Sequence, residues 1–395
     1  MSNNLSQLEL EEAQARELIE IESSKAFRRL KDKTQVLVPS HEYDESVMNR
    51  QSHSFAVASS ANQMIVSMAK DLGLSSKHKI DHSYSLRQSC LLHDIGHPPF
   101  GHDGAKEISM KAQAMGLKEG FDDNSNNLQV IESNNINLRG CVLAAIIKYP
   151  EKLYAYQGAY LDVLKEQLEL DKKHFMDLGI NLKNHTRTIN CQIMDEADRN
   201  TYTCDDMRDY FLLNEGKKYN VIDILKLKSI TNDKEQLELI NELMSVVNPK
   251  IVKGVEVPPS KTEISNFFNK AKRMFNDNWK ITENGLDYKN KGIHQFRELL
   301  SDMTMEFYIK PIRTAPEHKE NMLKFNVFIN KVFDGEYGES KYYRKKMDGA
   351  KSKEDFIRAC RDAVAEVSDH FIKNSFNEIL GNKRDVSVKK GGYKI

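Results

Sequence analysis

Residues 90–102 read CLLHDIGHPPFGH, and this run constrains the local fold more tightly than any other stretch of the chain. An apolar, helix-like run leads into the adjacent pair His93-Asp94. Gly96, Pro98 and Pro99 then stop that helix, because proline lacks a backbone N–H and glycine favours a turn. Two more histidines, His97 and His102, follow. An imidazole beside a carboxylate offers one nitrogen and one hard oxygen ligand from consecutive residues, which suits a divalent cation that also binds phosphate. So many ionisable side chains in one short segment mark it as the first place to look for chemistry.

The rest of the chain reads as nearly all helix. It has only 9 prolines in 395 residues, and the helix formers Leu, Lys, Glu, Ala and Met dominate. Periodicity predicts helices over 6–30, over 54–72 with a stop at Gly73, over 83–94, over 138–149 with a stop at Pro150, and over 186–211. The segment 31–45 (KDKTQVLVPSHEYDE) has the alternation and turn residues of a small β-hairpin. Residues 214–260 and 281–295 are more charged and loop-like. The expected organisation is a core over 1–213 with N-terminal helices, a peripheral helical subdomain over 214–340, and a C-terminal segment over 341–395. That last segment brings a helix back to the core and ends in a basic tail.

Composition removes several classes of function. Lys+Arg and Asp+Glu are equal at 58 each, so no overall field attracts nucleic acid or membrane, and an anionic substrate must be held by local basic groups. The five cysteines (Cys90, Cys141, Cys191, Cys204 and Cys360) form no C-x-x-C, which argues against a disulfide framework or a structural zinc site and fits a reducing cytoplasm. The polar, acidic N-terminus does not read as a signal peptide, and no apolar run is long enough to span a membrane.

A cation needs ligands that converge from separate elements. His53 opens one helix, and His93 and Asp94 end another. The helix over 186–211 supplies Asp195, Glu196 and Asp198 within MDEADRNTY as acidic candidates. Asp198 and Tyr202 are four apart and share a face. The expected ligand set is His53, His93, Asp94 and Asp198, whose mixed nitrogen and oxygen character does not choose among manganese, iron, cobalt, nickel and magnesium. Each member taken alone also fits a bland role: a helix-end pair, a surface histidine, a solvated acidic face. Only their joint occurrence favours a metal centre.

The strings SSKAFRRLKDKTQV (23–36), NRQSHSFAVA (49–58), HDIGHPPFGHDG (93–104), NLRGCVLAAIIKYP (137–150) and IMDEADRNTY (193–202) occur in that order. Together they resemble the HD-superfamily deoxynucleoside triphosphate triphosphohydrolases, the dGTPase-like enzymes. The resemblance covers about 20–210 and is faint at 356–380. It implies an all-α HD-domain fold with peripheral helical insertions. It also implies metal-dependent cleavage of a dNTP, with dGTP the favoured candidate, to a deoxynucleoside and inorganic tripolyphosphate by attack of water at the α-phosphorus. By this resemblance His53, His93, Asp94 and Asp198 match the metal ligands, with Mn2+, Mg2+ or Co2+ as the ion and Fe or Ni as further options. Asp94 joins His97 and His102 as the catalytic set, the two histidines matching those that lie over the α-phosphate. Arg50 matches a phosphate-binding arginine and Gln35 a contact to sugar or base. Lys148, Tyr149 and Tyr202 match residues lining the phosphate and deoxyribose pocket, with Tyr202 placed to exclude a 2′-hydroxyl. A homo-oligomer (hexamer or tetramer) and a nucleotide or single-stranded DNA effector are further implications of the resemblance.

The chain departs from the family pattern at two places. Ala105 stands where many members have a glutamate that pairs with the preceding histidine, and FDDNSNNLQV (121–130) has no histidine where some relatives carry an acid. Two other readings therefore stay open beside the triphosphohydrolase. One is an HD phosphohydrolase acting on another nucleotide phosphate ester. The other is a dNTP-binding regulatory protein with reduced catalysis.

Overall fold

A computed structural model describes residues 7–35, 48–72, 76–183, 185–213, 234–247, 250–253, 255–257, 259–336 and 347–373. The helices in chain order are α1 (Gln7–Ser23), α2 (Lys25–Arg28), α3 (Arg50–Asp71), α4 (Ser76–Leu92), α5 (Gly101–Ala114), α6 (Asp123–Ser133), α7 (Gly140–Ala145) and α8 (Gly158–Asp177). They continue with α9 (Ile189–Leu213), α10 (Lys234–Val247), α11 (Lys261–Asp277), α12 (Lys291–Thr304), α13 (Lys310–Thr314), α14 (Pro316–Phe333) and α15 (Lys353–Glu366). The architecture is all-α, as the sequence predicts. Strands among the described residues are confined to two antiparallel hairpins: β1 (Lys250–Val252) with β2 (Val255–Val257), and β3 (Trp279–Thr282) with β4 (Gly285–Tyr288). The hairpin expected over 31–45 falls largely on residues 36–47, which lie outside the described residues. The neighbouring backbone is visible: Thr34 bridges Asn49, and the Arg50 N–H donates to the Lys33 carbonyl at 3.0 Å.

The chain forms two compact units. One comprises Met1–His97 with Asp122–His318, and the other Pro98–Phe121 with Lys319–Ile395. In the first unit α3, α4 and α9 are the central helices, and their facing sides bury Val57, Ala61, Met64, Leu91, Met194 and Ala197. Each such side chain contributes about 1.5–3 kcal/mol if its size is that of Val, Leu or Met, which is why the apolar stripes of the sequence find one another. Local chemistry sets the helix ends. Asn49 caps α3, its Oδ1 accepting from the Ser52 N–H at 2.9 Å. Thr188 Oγ1 accepts from the Cys191 N–H at 3.2 Å at the start of α9.

A second apolar cluster in this unit covers the later half of α9. Cys204, Met207 and Phe211 pack with Phe267, Phe268, Phe296 and Leu300 from α11 and α12. The sequence reads 281–295 as loop, whereas the structure has β3–β4 and the start of α12 there. The difference has a local cause: Asn290 caps α12, its Oδ1 accepting from the Gly292 N–H at 2.7 Å, and Glu283, Lys289 and Lys291 occupy exposed positions. Gly285, at φ +94°, allows the tight β3–β4 turn, and a Cβ there would lie 2.4 Å from Gln192 Oε1.

In the second unit α5 lies against α15. Phe100, with φ 60°, stacks edge-on with Phe325 at 5.4 Å and donates its N–H to Asp369 Oδ1 at 2.7 Å. Arg361 is fully buried, with its Nε on Asp362 Oδ1 at 2.8 Å and an Nη1 bond to the Gly120 carbonyl at 3.3 Å. Among the described residues no helix is long and apolar enough to cross a membrane. Cys90, Cys191, Cys204 and Cys360 are buried, and no cysteine forms a disulfide.

Candidate functional site

Four pieces of the first unit converge on one corner. The N-terminal turns of α3 bring Arg50 and His53. The turn after α4 brings His93, Asp94 and His97. The middle of α9 brings Asp195 and Asp198, and the segment after α7 brings Lys148. Successive tight turns, with Ile95 N–H on the Leu92 carbonyl and His97 N–H on the Asp94 carbonyl, hold three ionisable side chains in five residues.

His53 Nε2 lies 2.9 Å from Asp198 Oδ1. His93 Nε2 lies 3.5 Å from the same oxygen and 3.4 Å from Asp94 Oδ1. The other ring nitrogen of His93, Nδ1, is 2.7 Å from the Cys90 carbonyl. A carbonyl can only accept, so Nδ1 carries the proton and the neutral ring turns its Nε2 lone pair toward two carboxylates. A lone pair facing two anions is stable only with a cation among them, and the donor set fits a divalent metal. Burial opposes charge on His93, but Asp94 and Asp198 outweigh it and raise the pKa. Asp94 and Asp198 move the other way. Burial would raise both, yet His93, His97 and Arg50 hold Asp94 well below the usual carboxylate range, and Lys148, His93 and the His53 hydrogen bond do so for Asp198.

Cationic groups flank the corner. Arg50 Nη1 lies 2.7 Å from Asp94 Oδ2, while Arg50 Nε is buried with no hydrogen-bond acceptor among the described residues. Lys148 Nζ sits 3.2 Å from both Asp195 Oδ1 and Asp198 Oδ2. Burial would lower the Lys148 pKa, but Asp198 and Asp195 raise it, so the ammonium stays charged. Arg187 Nη1 holds the other Asp195 oxygen at 2.8 Å.

The remaining sequence-predicted residues are placed as follows. His97 is buried beside Asp94, with Nδ1 3.2 Å from Oδ1. Tyr202 lies one turn beyond Asp198 on α9, within hydrogen-bond reach of Ser301, and burial raises its pKa. Gln35 is half-buried, and its Oε1 has no hydrogen-bond partner among the described residues. Tyr149 is 39% exposed, with the Lys152 ammonium 4.5 Å above its ring. His102 is exposed in the first turn of α5, in the second unit.

Asp123, which the sequence puts near the place where some relatives carry a histidine, lies 3.2 Å from His97 Nε2. One residue escaped the sequence reading. Asp206 continues the Asp198–Tyr202 spacing by four and is buried. Its neighbours Asp205 and Asp209 are paired with Lys272 and Arg208, whereas Asp206 has no ion pair among the described residues. Burial above all, then Asp209, Asp205 and Asp198, pushes its pKa well above the ordinary value, against Arg50. The i, i+4, i+8 spacing was the available signal.

A pH dependence follows from Asp206. The unfolded chain releases this proton near a pH of about 3.9, and the folded chain keeps it to higher pH. The folded state therefore binds more protons, and this contribution to stability is full below that pH and is lost as pH rises through the folded pKa. Asp206→Asn removes the loss; each tenfold by which folding tightens the hold on this proton is worth about 1.4 kcal/mol. Thermal melts between about pH 4 and 8 should show parent and variant converging at the acid end, with the variant gaining stability toward neutrality. A Tm difference independent of pH would reject the assignment.

No family model matches the chain. Curated proteins do. One from Wolinella succinogenes is 28% identical over 254 residues, covering 62% of this chain and 58% of that protein. One from Rickettsia typhi is 32% identical over 235 residues, covering 55% and 54%. The chain is a relative of the deoxyguanosinetriphosphate triphosphohydrolase-like proteins. A further relative of that description, from Rhodopseudomonas palustris, is 38% identical over 146 residues, covering 35% of this chain and 32% of that protein. The chain thus spans about half the length of the first curated relatives it matches, 58% and 54%.

Proposed function

We propose that the corner formed by His53, His93, Asp94 and Asp198 hydrolyses a deoxynucleoside triphosphate, releasing a deoxynucleoside and inorganic tripolyphosphate. The observation that carries this reading is the His93 lone pair aimed at two carboxylates beside the buried Arg50 and the half-buried Lys148. The four residues would hold a divalent ion, with manganese, magnesium or cobalt the first to try. When bound, that ion supplies Lewis-acid polarisation of the α-phosphoryl group and activation of water.

The chain's own residues do the rest. Arg50 has a buried Nε without an acceptor, which a phosphate oxygen satisfies, and an arginine fork suits phosphate geometry. Lys148 is already drawn to anionic oxygens and can exchange a carboxylate for a phosphate. The oxygen of water bonds to the α-phosphorus as the P–O5′ bond breaks, and the leaving 5′-oxygen takes a proton. Among the described residues of the first unit His97 lies beside the proposed ligand Asp94 without being a proposed ligand itself, and it is placed to donate that proton. Gln35 Oε1 accepts from a sugar or base group, and the Tyr202 ring packs where a ribose would carry its 2′-hydroxyl.

Incubating the pure protein with each dNTP and Mn2+ or Mg2+, then resolving products by ion-exchange chromatography, tests the reading. Tripolyphosphate with deoxynucleoside supports it. Orthophosphate or pyrophosphate as first product overturns it. Ala105 favours one other reading, a dNTP-binding regulator, for which binding without product is the signature. Tyr202→Ala should cut discrimination between dNTP and the matching rNTP by about tenfold or more. Unchanged selectivity would clear Tyr202 of that role. The homo-oligomer and nucleotide-effector expectations belong to the same proposal, and light scattering with and without dNTP decides them.

A further inference from the structure

Tryptophan occurs once in the chain, at Trp279, and its ring sits where the β3–β4 hairpin meets α12. Trp279 pairs across the hairpin with Tyr288. Asn290 N–H donates to Asn278 Oδ1 at 2.7 Å and Asn278 Nδ2 donates to the Asn290 carbonyl at 2.8 Å, so α12 starts at the base of the hairpin. His294 and Arg297 are three apart on that helix and share a face. The half-buried His294 ring stacks on Tyr288, with centroids 4.4 Å apart and planes at 10°, and meets the Trp279 ring edge-on at 6.2 Å. The Arg297 guanidinium carbon lies 5.2 Å from the same indole.

Arg297 Nη2 lies 3.3 Å from His294 Nδ1. A guanidinium can only donate, so Nδ1 is the lone-pair nitrogen and the neutral ring carries its proton on Nε2. A second proton has to go on Nδ1. There it turns the acceptor into a donor that faces a donor, and it sets two cations against each other. The other charges around the ring are mixed. Glu298 on α12 and Glu196 on α9 favour a cation, Arg199 on α9 opposes one, and Tyr288 on β4 offers its ring face to either form. Burial first, then Arg297, decides the balance and lowers the His294 pKa. The first turn of α12 acts in the same direction, since positive charge is disfavoured at a helix start.

We propose that His294 is an acid-released latch: the neutral imidazole, stacked on Tyr288 and accepting from Arg297, joins the β3–β4 hairpin to α12, and protonation of Nδ1 breaks that join. The step moves one proton from solvent to Nδ1 and breaks one hydrogen bond. The change is local. Arg297 keeps Glu196, Glu298 and Asn200, and the hairpin keeps the Leu286 N–H bond to Gln192 Oε1. The contacts of the ring are with α12, β3 and β4 and with none of the four proposed ligands, so the latch does not depend on the reaction proposed for the corner. The folded chain gives up this proton more easily than the unfolded one. The stability contributed by the latch is therefore full above a pH of about 6.5 and is lost as pH falls through the folded pKa, opposite in sign to Asp206.

Two signals from the full-length protein, followed between about pH 5 and 8, test the latch. One is the His294 ring resonance in 15N-histidine protein, identified by its loss in His294→Asn. The other is the emission of Trp279, whose indole a protonated imidazole quenches. At about pH 8 the ring should show the Nε2–H tautomer. It should then titrate with a midpoint below about 6.5, and Trp279 emission should fall with the same midpoint while helix content by circular dichroism stays constant. His294→Asn keeps an acceptor in place of Nδ1 that cannot take a proton, and it should lose the emission step. His294→Phe, which keeps the stack on Tyr288 and has no proton to gain, should lose it as well. An emission step of parent size in both variants overturns the proposal. So does an Nδ1–H tautomer, a ring midpoint at or above about 6.5, or a fall in emission only where the helices melt.

Discussion

Replacing His93 with alanine is expected to weaken Mn2+ binding by at least about 100-fold and to abolish turnover while leaving helix content intact, since even residues that only orient metal ligands are worth about 10–100-fold. The asymmetry between binding and folding follows from the charges around the ring. His93 Nε2 is the nitrogen that faces both Asp94 and Asp198, so its loss removes the centre of the donor set. Neither carboxylate is then stranded. Asp94 keeps Arg50 at 2.7 Å and His97 at 3.2 Å, and Asp198 keeps His53 at 2.9 Å and Lys148 at 3.2 Å. Asp94→Ala is the worse tool for the same question, because it leaves the Arg50 guanidinium buried without its partner. Binding is read by the electron paramagnetic resonance of free Mn2+. In thermal melts, a metal at about 100 times its Kd adds about 2.7 kcal/mol to the parent. The His93→Ala variant should show no such shift. A variant that binds Mn2+ as the parent does would remove His93 from the site and the proposed reaction with it.

What could be read from the sequence was what short-range chemistry decides. The Pro-Pro stop after His93-Asp94 and the periodicity behind α3 and α9 each act within a few residues, and each set an element end close to its observed place. The convergence of His53, His93, Asp94 and Asp198 was legible because those strings recur together in order, not because any spacing requires it. The contacts that lie beyond sequence reading are long-range and polar. Nothing near Asp123 announces that Gly96 admits α6 to within reach of His97. The segment 281–295 reads as loop because its polar residues outnumber its apolar ones. Yet β4 pairs with β3, and Leu286 N–H donates to Gln192 Oε1 on α9 at 2.8 Å, so partners distant in sequence complete the structure.

Arg297 is the strongest case of such a partner, and its removal carries the largest expected cost in stability. Its side chain is 2% exposed, with Nη1 2.5 Å from Glu196 Oε2 and 2.9 Å from Asn200 Oδ1, and Nη2 2.8 Å from Glu298 Oε1. Its guanidinium carbon lies 5.2 Å from the Trp279 ring, and Asn200 passes the connection on to Asn276 at 2.9 Å. Glu196 and Asn200 flank Asp198 on α9, so this one guanidinium ties the turn that carries Asp198 to α12, α11 and β3. Arg297→Ala breaks a buried pair from one side and is expected to cost about 3–5 kcal/mol. Arg297→Met fills the space without the charge, and adding Glu196→Gln to it removes the stranded carboxylate. If desolvated charge is the main penalty, the double variant should be more stable than Arg297→Met alone, a coupling that a double-mutant cycle in urea measures directly. A loss under about 1 kcal/mol for Arg297→Ala would mean that the pair is solvated like a surface ion pair. The position of Asp198 would then have to be set without Arg297, by its own pairs with His53 and Lys148 and by the Ala197 and Met194 faces of α9.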